Sequence, residues 1–352
     1  MIALGILLQR QISSTDQLKG LKVIILSLAL PATIFVALLG VDFDPSLLSL
    51  PLIGVGINCF LLVAFSLINP LFKGLDPRKR RTLLILIPSL APGLSCFPFI
   101  VEYLGEGPLA YAALLDVGNK FFVLIISYLI AMRWYFQFNQ MAKNSRKSDI
   151  QKMLVKMATE PINLIMVAAL LLLGFGMNLE TLPSLVSSTF TRLSGIMAPL
   201  ILLFIGLAVK IKKNQIGLIF QLLFARAGLL FLGSALFIYL VPGLSPALIL
   251  LAIVFPQSSC SFWPFAHISL INGLEKDKPK SFDVELALTI LACSLPFSSI
   301  IIMTMLSFPV ISISPINIAM IGIGCIVLGV LPQLIQITKG STAKRQSTLA
   351  EA

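Results

Sequence analysis

The sequence predicts an all-α polytopic membrane protein made of two inverted five-helix repeats, with a truncated first helix, one extra C-terminal helix and interrupted crossover helices in spans 4 and 9. Three observations predict this fold: the composition, the length of the apolar runs and landmarks that recur at a nearly constant spacing. Of 352 residues, 57% are hydrophobic and 12% are charged, whereas soluble domains are about half apolar and a quarter charged. The composition therefore excludes a soluble fold, a disordered chain and a coiled coil.

The apolar runs have the length of transmembrane helices. Such a helix crosses about 30 Å of hydrocarbon at about 1.5 Å per residue, whereas barrel strands have about ten residues of alternating polarity. A short run at 2–8 is counted as span 1, either a truncated helix or a half-helix in the membrane interface. Spans 2 to 11 are predicted at 21–40, 52–72, 82–104, 109–132, 162–179, 193–209, 216–241, 247–271, 284–308 and 313–337.

The loop charges orient these spans. The net charge is +11, and nearly all of the 26 Lys and Arg residues lie in loops on one side of the predicted membrane, most densely at 73–81 and 133–156. The opposite loops are acidic, with Arg192 as their one basic residue. Because cytoplasmic loops accumulate Lys and Arg, the C-terminus is predicted to be cytoplasmic, in a bacterial cytoplasmic membrane. Topology then explains the positive charge, and no nucleic-acid partner is expected.

Landmarks in the first half of the chain recur in the second half at an offset of 166 to 168 residues. The pairs are Pro31 with Pro199, Pro98 with Pro264 and Gly105 with Gly273. A unit of five spans is odd, so the second copy must be inverted in the membrane. Inverted repeats are typical of secondary transporters, which bind substrate near the midplane between the repeats. The predicted parts are a first repeat at 1–134, a basic cytoplasmic loop at 135–160, a second repeat at 161–309, an extra transmembrane helix at 310–338 and a cytoplasmic tail at 339–352.

Spans 4 and 9 contain prolines at corresponding places, which predicts interrupted helices that cross near the midplane. A proline inside a helix removes a backbone donor at a cost of about 3 kcal/mol or more, and unpaired backbone groups are tolerated in a membrane only inside protein or beside a cavity. The half-helix N-termini would then face an anion; ordinary kinked helices, with serines that stabilise the kinks, are the alternative. The predicted substrate contacts are Pro92, Ser95, Cys96, Pro98, Pro256, Gln257, Ser258, Ser259 and Pro264.

Ionisable residues inside spans are the next signal, because a charge at the bilayer centre costs at least about 2.5 kcal/mol. Span 5 carries Asp116, Asn119 and Lys120, and the spacing of the acid and the lysine suits an ion pair. This pair is either structural or the site of a coupling proton or sodium ion. Arg226 in span 8 is predicted to hold a carboxylate substrate or to pair with Asp116. His267, the only histidine, is either structural or proton-coupled.

Several short motifs, spread over most of the chain, match the sequence pattern of a known protein family. They are Leu7-Leu8-Gln9-Arg10, Leu30-Pro31-Ala32-Thr33-Ile34-Phe35, Leu104-Gly105-Glu106-Gly107 and Asp116-Val117-Gly118-Asn119, followed by weaker matches at Pro199, Gly206-Leu207, Pro256 and Thr289. The chain thereby resembles the auxin efflux carrier family of membrane permeases, which includes plant PIN proteins and bacterial transporters. The resemblance implies ten helices, with a scaffold of spans 1, 2, 6 and 7 and a transport unit of spans 3 to 5 and 8 to 10. It also implies an anionic organic substrate at the crossing, although Ala91 stands where the family usually has Asn.

These features together predict a secondary transporter that moves a small organic anion by alternating access, with export as the favoured direction. Its partners would be the lipid bilayer, the substrate and, in a homodimer, a second copy. No enzymatic activity is expected, and no cofactor beyond the coupling proton or sodium ion. The five cysteines lie in apolar runs without a CxxC motif, so no metal site is predicted. The alternatives are a receptor-like or assembly protein on a transporter fold, and an intramembrane hydrolase that uses Ser95 and His267.

Overall fold

The computed structural model describes residues 2–9, 11–12, 14–40, 49–72, 75–139, 161–208, 216–275 and 280–350. Within these ranges the chain forms helices and turns and no β-strand, which confirms the predicted all-α membrane fold. The loop after span 2, most of the basic loop 135–160 and the loop after span 7 lie outside the described residues. The helices are α1 Ile2–Leu8, α2 Thr15–Ile24, α3 Leu30–Leu39, α4 Leu50–Ile68, α5 Pro77–Leu86, α6 Pro92–Ser95, α7 Phe97–Leu104, α8 Glu106–Phe121, α9 Ser127–Asn139, α10 Pro161–Gly174, α11 Ser184–Gly195, α12 Met197–Ala208, α13 Ile216–Leu240, α14 Pro246–Val254, α15 Phe262–Leu274, α16 Val284–Ser307, α17 Pro309–Ser312 and α18 Pro315–Ala350.

Five helical segments among the described residues are long and apolar enough to cross a membrane by themselves. They match predicted spans 3, 5, 8, 10 and 11, and their bounds are Leu50–Leu71, Glu106–Gln137, Ile216–Leu240, Val284–Ser307 and Pro315–Gln333. The second of them joins α8 to α9 through a π-helical turn at Phe122–Ile126. Predicted span 2 consists of α2 and α3 joined by a π-helical turn at Ile25–Ala29. The other predicted spans consist of shorter helices.

Spans 4 and 9 are interrupted, as their prolines predict. Span 4 consists of α5, α6 and α7, and span 9 consists of α14 and α15. Both spans begin in the same way, because Asp76 caps α5 just before Pro77 and Ser245 caps α14 just before Pro246. Proline suits the first helical position, where its missing N–H is not needed. Helix α5 therefore begins earlier than the predicted residue 82, and the basic residues after Pro77 lie in its first turns.

Two other helix bounds differ from the sequence prediction, and one helix was not predicted. Helix α9 continues to Asn139, past the predicted repeat boundary at 134, and α18 continues to Ala350 through the predicted tail. Helix α11 has no predicted counterpart, because its sequence is rich in Ser and Thr and lacks a long apolar run. It packs on α3, where the ring of Phe190 stacks on Phe35 with a centroid distance of 4.2 Å. Packing thus stabilises a helix that the apolar pattern does not reveal.

The helices form two groups according to their contacts. In one group, α1 packs on α12, and α3 packs on α10 and α11. In the other group, α4 packs on α8, α13 on α18, α15 on α9 and α16 on α5. The groups meet where α3 packs on α8 and α12 packs on α7.

Two helix pairs of the second group approach closely at glycines. A Cβ atom added to Gly54 of α4 would lie 2.0 Å from the carbonyl oxygen of Leu115 in α8. The extra helix packs similarly, because a Cβ atom added to Gly228 of α13 would lie 2.6 Å from the carbonyl oxygen of Gly322 in α18. Backbone therefore meets backbone in both pairs, as small residues allow in membrane proteins. These contacts position α8 and α13, the two helices that carry the predicted charged residues.

Candidate functional site: the crossover of two interrupted helices

The two interruptions meet inside the protein. Residues 87–91 between α5 and α6 form the first break, residues 255–261 between α14 and α15 form the second break, and together they are the crossover. The main-chain N–H of Ala91 donates to the Ser259 carbonyl at 2.7 Å, in an antiparallel bridge. The residue before a proline avoids the helical conformation, so Pro92 explains the extended backbone at Ala91. The bridged residues are 168 apart, which is the spacing of the sequence landmarks.

Serine side chains complete the contact between the breaks. The Ser95 hydroxyl accepts the main-chain N–H of Ser259 at 2.9 Å and donates to the Ala91 carbonyl at 2.8 Å. The Ser89 hydroxyl accepts the main-chain N–H of Ser261 at 2.9 Å. All of these serines are buried. Two of the predicted substrate contacts, Ser95 and Ser259, therefore belong to the crossing itself.

Arg226 of α13 binds both breaks. Its Nε donates to the Ile87 carbonyl at 3.0 Å, and its Nη2 donates to the carbonyls of Ser89 at 3.1 Å and Ser258 at 2.7 Å. The side chain is almost fully enclosed, with 2% of the residue exposed. These carbonyls, and not Asp116, are the partners that the structure gives Arg226, so the predicted pairing with Asp116 is not formed. The guanidinium supplies hydrogen-bond donors to main-chain oxygens that the breaks leave without helical partners.

Asn119 of α8 holds the first break from another side. Its amide accepts the main-chain N–H of Leu90 at 3.3 Å and donates to the Leu90 carbonyl at 2.9 Å. The same amide donates to Asp116 at 2.7 Å, and Asp116 forms an ion pair with Lys120 at 3.6 Å, as the spacing predicts. All three side chains are buried. Because Asp116 and Lys120 form an ion pair, the guanidinium of Arg226 is the excess positive charge beside the crossover among the residues that the structure describes.

The remaining polar residues among the predicted substrate contacts also contact main-chain carbonyls. Gln257 donates to the Ala227 carbonyl of α13 at 3.1 Å, and the thiol of Cys96 lies 3.5 Å from the Val254 carbonyl. The Ser258 hydroxyl donates to a carbonyl within its own turn. These contacts pair further backbone groups around the two breaks.

The four predicted prolines occupy different places. Pro92 begins α6 and Pro256 lies in the second break, so both adjoin the crossing. Pro98 and Pro264 lie in the first turns of α7 and α15, just beyond the breaks. Pro92 and Pro256 therefore explain the interruptions, and Pro98 and Pro264 lie at the start of the half-helices that follow.

His267 lies outside the crossover contacts. Its Nε2 is 2.9 Å from the Val123 carbonyl in the π-helical turn, and its ring meets that of Tyr128 edge-on at 5.5 Å between centroids. A π-helical turn frees carbonyls from regular helical pairing, so a buried imidazole N–H is well matched to this place. The Ser95 hydroxyl proton is given to main chain, so the Ser95 and His267 pair of the hydrolase alternative is not formed.

Sequence reasoning missed two side chains of the crossover. Ser89 lies between Pro88 and Pro92, so a small polar residue flanked by prolines was the available signal. Ser294 of α16 accepts the main-chain N–H of Cys260 at 3.2 Å, and no local pattern marks it. Its role follows only from the packing of a distant helix against the second break.

Comparison with known proteins gives a partial likeness. No family model matches the chain. The chain is similar to a protein of Methanocaldococcus jannaschii that is described as an uncharacterized transporter, with 28% identity over 207 residues. The matched region covers 57% of this chain and 63% of the relative, so it spans less than two thirds of the relative's length.

Proposed function

We propose that the chain is a secondary membrane transporter that carries a small organic anion past the crossover by alternating access. The observation that carries this proposal is the main-chain contact between two interrupted helices, Ala91 to Ser259, inside the protein. Interrupting a membrane helix is costly, and such interruptions are typical of sites that bind substrates between inverted repeats. A purely structural membrane protein would gain nothing evident from two matched interruptions that meet.

The charge of the site supports an anionic substrate. Arg226 is buried beside both breaks, whereas Asp116 and Lys120 balance each other nearby. In the described ranges of the chain the partners of Arg226 are carbonyls and no carboxylate, and such a buried positive charge favours an anion in its surroundings. Small carboxylic acids are therefore the substrate class that we propose, with export as the direction.

The M. jannaschii relative supports the transport class and nothing finer. Its description says that it is a transporter and gives no substrate. The resemblance to auxin efflux carriers points to the same class through separate motifs. We therefore place the receptor-like and hydrolase alternatives second.

Flux measurement tests the proposal directly. Inside-out vesicles from cells with and without the protein should differ in uptake of a panel of labelled carboxylic acids. The variant Ser95→Ala removes the acceptor for the Ser259 N–H and should lower flux about tenfold or more at equal abundance, since an unpaired buried donor costs about 1–3 kcal/mol.

Ser66→Ala is the matched control, because the Ser66 hydroxyl lies on an exposed part of α4 and binds only within its own turn. Its flux should equal that of the unchanged protein. No difference in uptake for any acid, with the protein correctly inserted, would favour the receptor-like alternative instead.

A further inference from the structure

The crossover concentrates main-chain carbonyls that have lost their helical donors. The N–H of Ala91, which would serve the Ile87 carbonyl in a continuous helix, binds Ser259 instead. The carbonyls of Ile87, Ser89 and Ser258 come from both breaks and converge on one group, the guanidinium of Arg226. Carbonyl oxygens of unwound membrane helices are also the ligands that coordinate sodium ions in transporters. The three oxygens thus form a cation-binding arrangement, and the cation that they bind is the side chain of Arg226.

A neutral amide has two N–H donors and could pair with two of these three oxygens at lower cost. Asn119 does so for Leu90 in the same break, where an uncharged amide pairs with both the N–H and the carbonyl. Burying a guanidinium is more expensive than burying an amide, and carboxylate partners usually compensate for it. All the hydrogen bonds that the structure gives Arg226 go to carbonyls. The charge itself, in addition to the hydrogen bonds, therefore distinguishes Arg226 from the amide beside it.

We propose that Arg226 is the built-in cation of the crossover: its guanidinium occupies the place of a free monovalent cation on the carbonyls of both breaks, so the crossover works without sodium. The guanidinium acts as a positioning group that joins the two breaks and keeps a fixed positive charge beside them. The part of this inference that concerns transport depends on the proposed function. The part that concerns cation binding does not.

Removing the guanidinium should create a dependence on free cations. In Arg226→Ser, the three carbonyls remain while the space of the guanidinium becomes available to an ion and water. Purified in detergent, this variant should melt about 5 °C or more below the unchanged protein in choline chloride. Sodium or low millimolar guanidinium, at constant ionic strength, should restore part of that loss in a saturable way. The unchanged protein should melt at the same temperature in sodium and in choline.

The control is Arg192→Ser, because Arg192 is exposed on α11 and should show neither the loss nor the response to cations. If Arg226→Ser lacks a saturable response to either cation, or if sodium stabilises the unchanged protein over choline, the inference is wrong. Arg226→Lys keeps the charge and covers the case in which the serine variant does not fold. It should fold and melt equally in sodium and choline, and a preference of this variant for sodium would contradict the proposal.

Vesicle flux separates this inference from the proposed function. Uptake by the unchanged protein should be equal in sodium and choline media, and sodium-stimulated uptake would overturn the inference while leaving the transport class intact. If no acid is carried at all, the proposed function fails, and the melting experiment still decides the role of Arg226.

Discussion

The two breaks of the crossover are joined by one main-chain bridge and by side chains that differ between the two breaks. Ala91 and Ser259 meet in one antiparallel bridge, at positions separated by the spacing of the sequence landmarks. A neutral amide, Asn119, then holds the first break from within its own half. A cation, Arg226, comes from the other half and binds two carbonyls of the first break and one of the second. The main-chain bridge therefore accounts for the crossing, and unequal side chains give the site its charge.

A similar contrast between a neutral amide and a guanidinium is found when α4 is compared with α13. Position 226 of α13 is 168 residues after Asn58 of α4, so an inverted repeat would relate the two. Asn58 is fully buried, and its side-chain oxygen has no hydrogen-bond partner within the described part of the chain. Under the predicted repeat, one half has a neutral amide where the other half has a guanidinium. In the proposed anion transporter, this difference would supply the positive charge once.

The largest effect is expected from breaking the buried ion pair of Asp116 with Lys120 in the first half of the chain. Asp116→Asn leaves Lys120 as an uncompensated buried charge and should destabilise the protein by about 3–5 kcal/mol, seen as a loss of folded protein in size-exclusion profiles. A second change, Lys120→Met, should restore the folded yield because it removes that charge. Glu180→Gln, at an exposed position, is the control and should leave the yield unchanged.

A different result would sharpen the comparison of the halves. If Asp116→Asn folds normally, binds substrate and loses only its dependence on a proton gradient, then the first half carries the coupling ion while the second carries the fixed cation. If the variant folds and transports normally, neither reading of the pair survives.

The interruptions could be predicted from the sequence, but their partners could not. Prolines in an apolar run reveal a break locally, because each one removes a donor from its own helix. The ion pair of Asp116 with Lys120 follows from helical periodicity in the same way. Arg226 differs, because two of its three carbonyl partners lie more than a hundred residues away in the chain and the third lies 32 residues away. Nothing local indicates main-chain acceptors over a carboxylate. Long-range packing also decides the roles of Ser294 and of α11.

A smaller effect is expected from substitutions at the two close helix pairs, α4 with α8 and α13 with α18. Gly54→Ala would place its Cβ 2.0 Å from the Leu115 carbonyl oxygen, so α4 and α8 must separate, at a cost of about 1–3 kcal/mol or more. Gly228→Ala should cost less, because its nearest backbone oxygen, that of Gly322, lies 2.6 Å away and the side chain of Ile326 can move. Melting temperatures of the purified variants should follow this order.

The control for both glycine variants lies on the same helix as Gly54. Gly56 is exposed, and nothing lies within 4 Å of a Cβ added there. Gly56→Ala should therefore be neutral or raise stability by up to about 1 kcal/mol, because alanine favours the helix. Equal losses at Gly54 and Gly56 would show that α4 and α8 are not in backbone contact.

The smallest effect concerns the helix caps with which the two interrupted spans begin. Asp76 accepts the main-chain N–H of Lys79 at 2.8 Å, whereas Ser245 accepts that of Leu248 at 3.4 Å. The hydrogen bond from Lys79, aided by the charge of Arg78, lowers the pKa of Asp76 below its ordinary value. The first span therefore begins with a carboxylate cap, Asp76, which acid can protonate. The second span begins with the hydroxyl cap of Ser245, which acid does not protonate.

The pH dependence of the first cap follows from the direction of this pKa shift. A lowered pKa in the folded state means that the Asp76 contribution is complete above the unfolded pKa, about 3.9, and is lost as pH falls through the folded value. Asp76→Ala should cost about 0.5–2 kcal/mol at neutral pH, toward the low end because the side chain is partly exposed. Asp76→Ser should keep most of the cap and melt with a weaker acid dependence than the unchanged protein. If it retains the full acid dependence, the titrating group lies elsewhere, and the two spans begin with caps of equivalent behaviour.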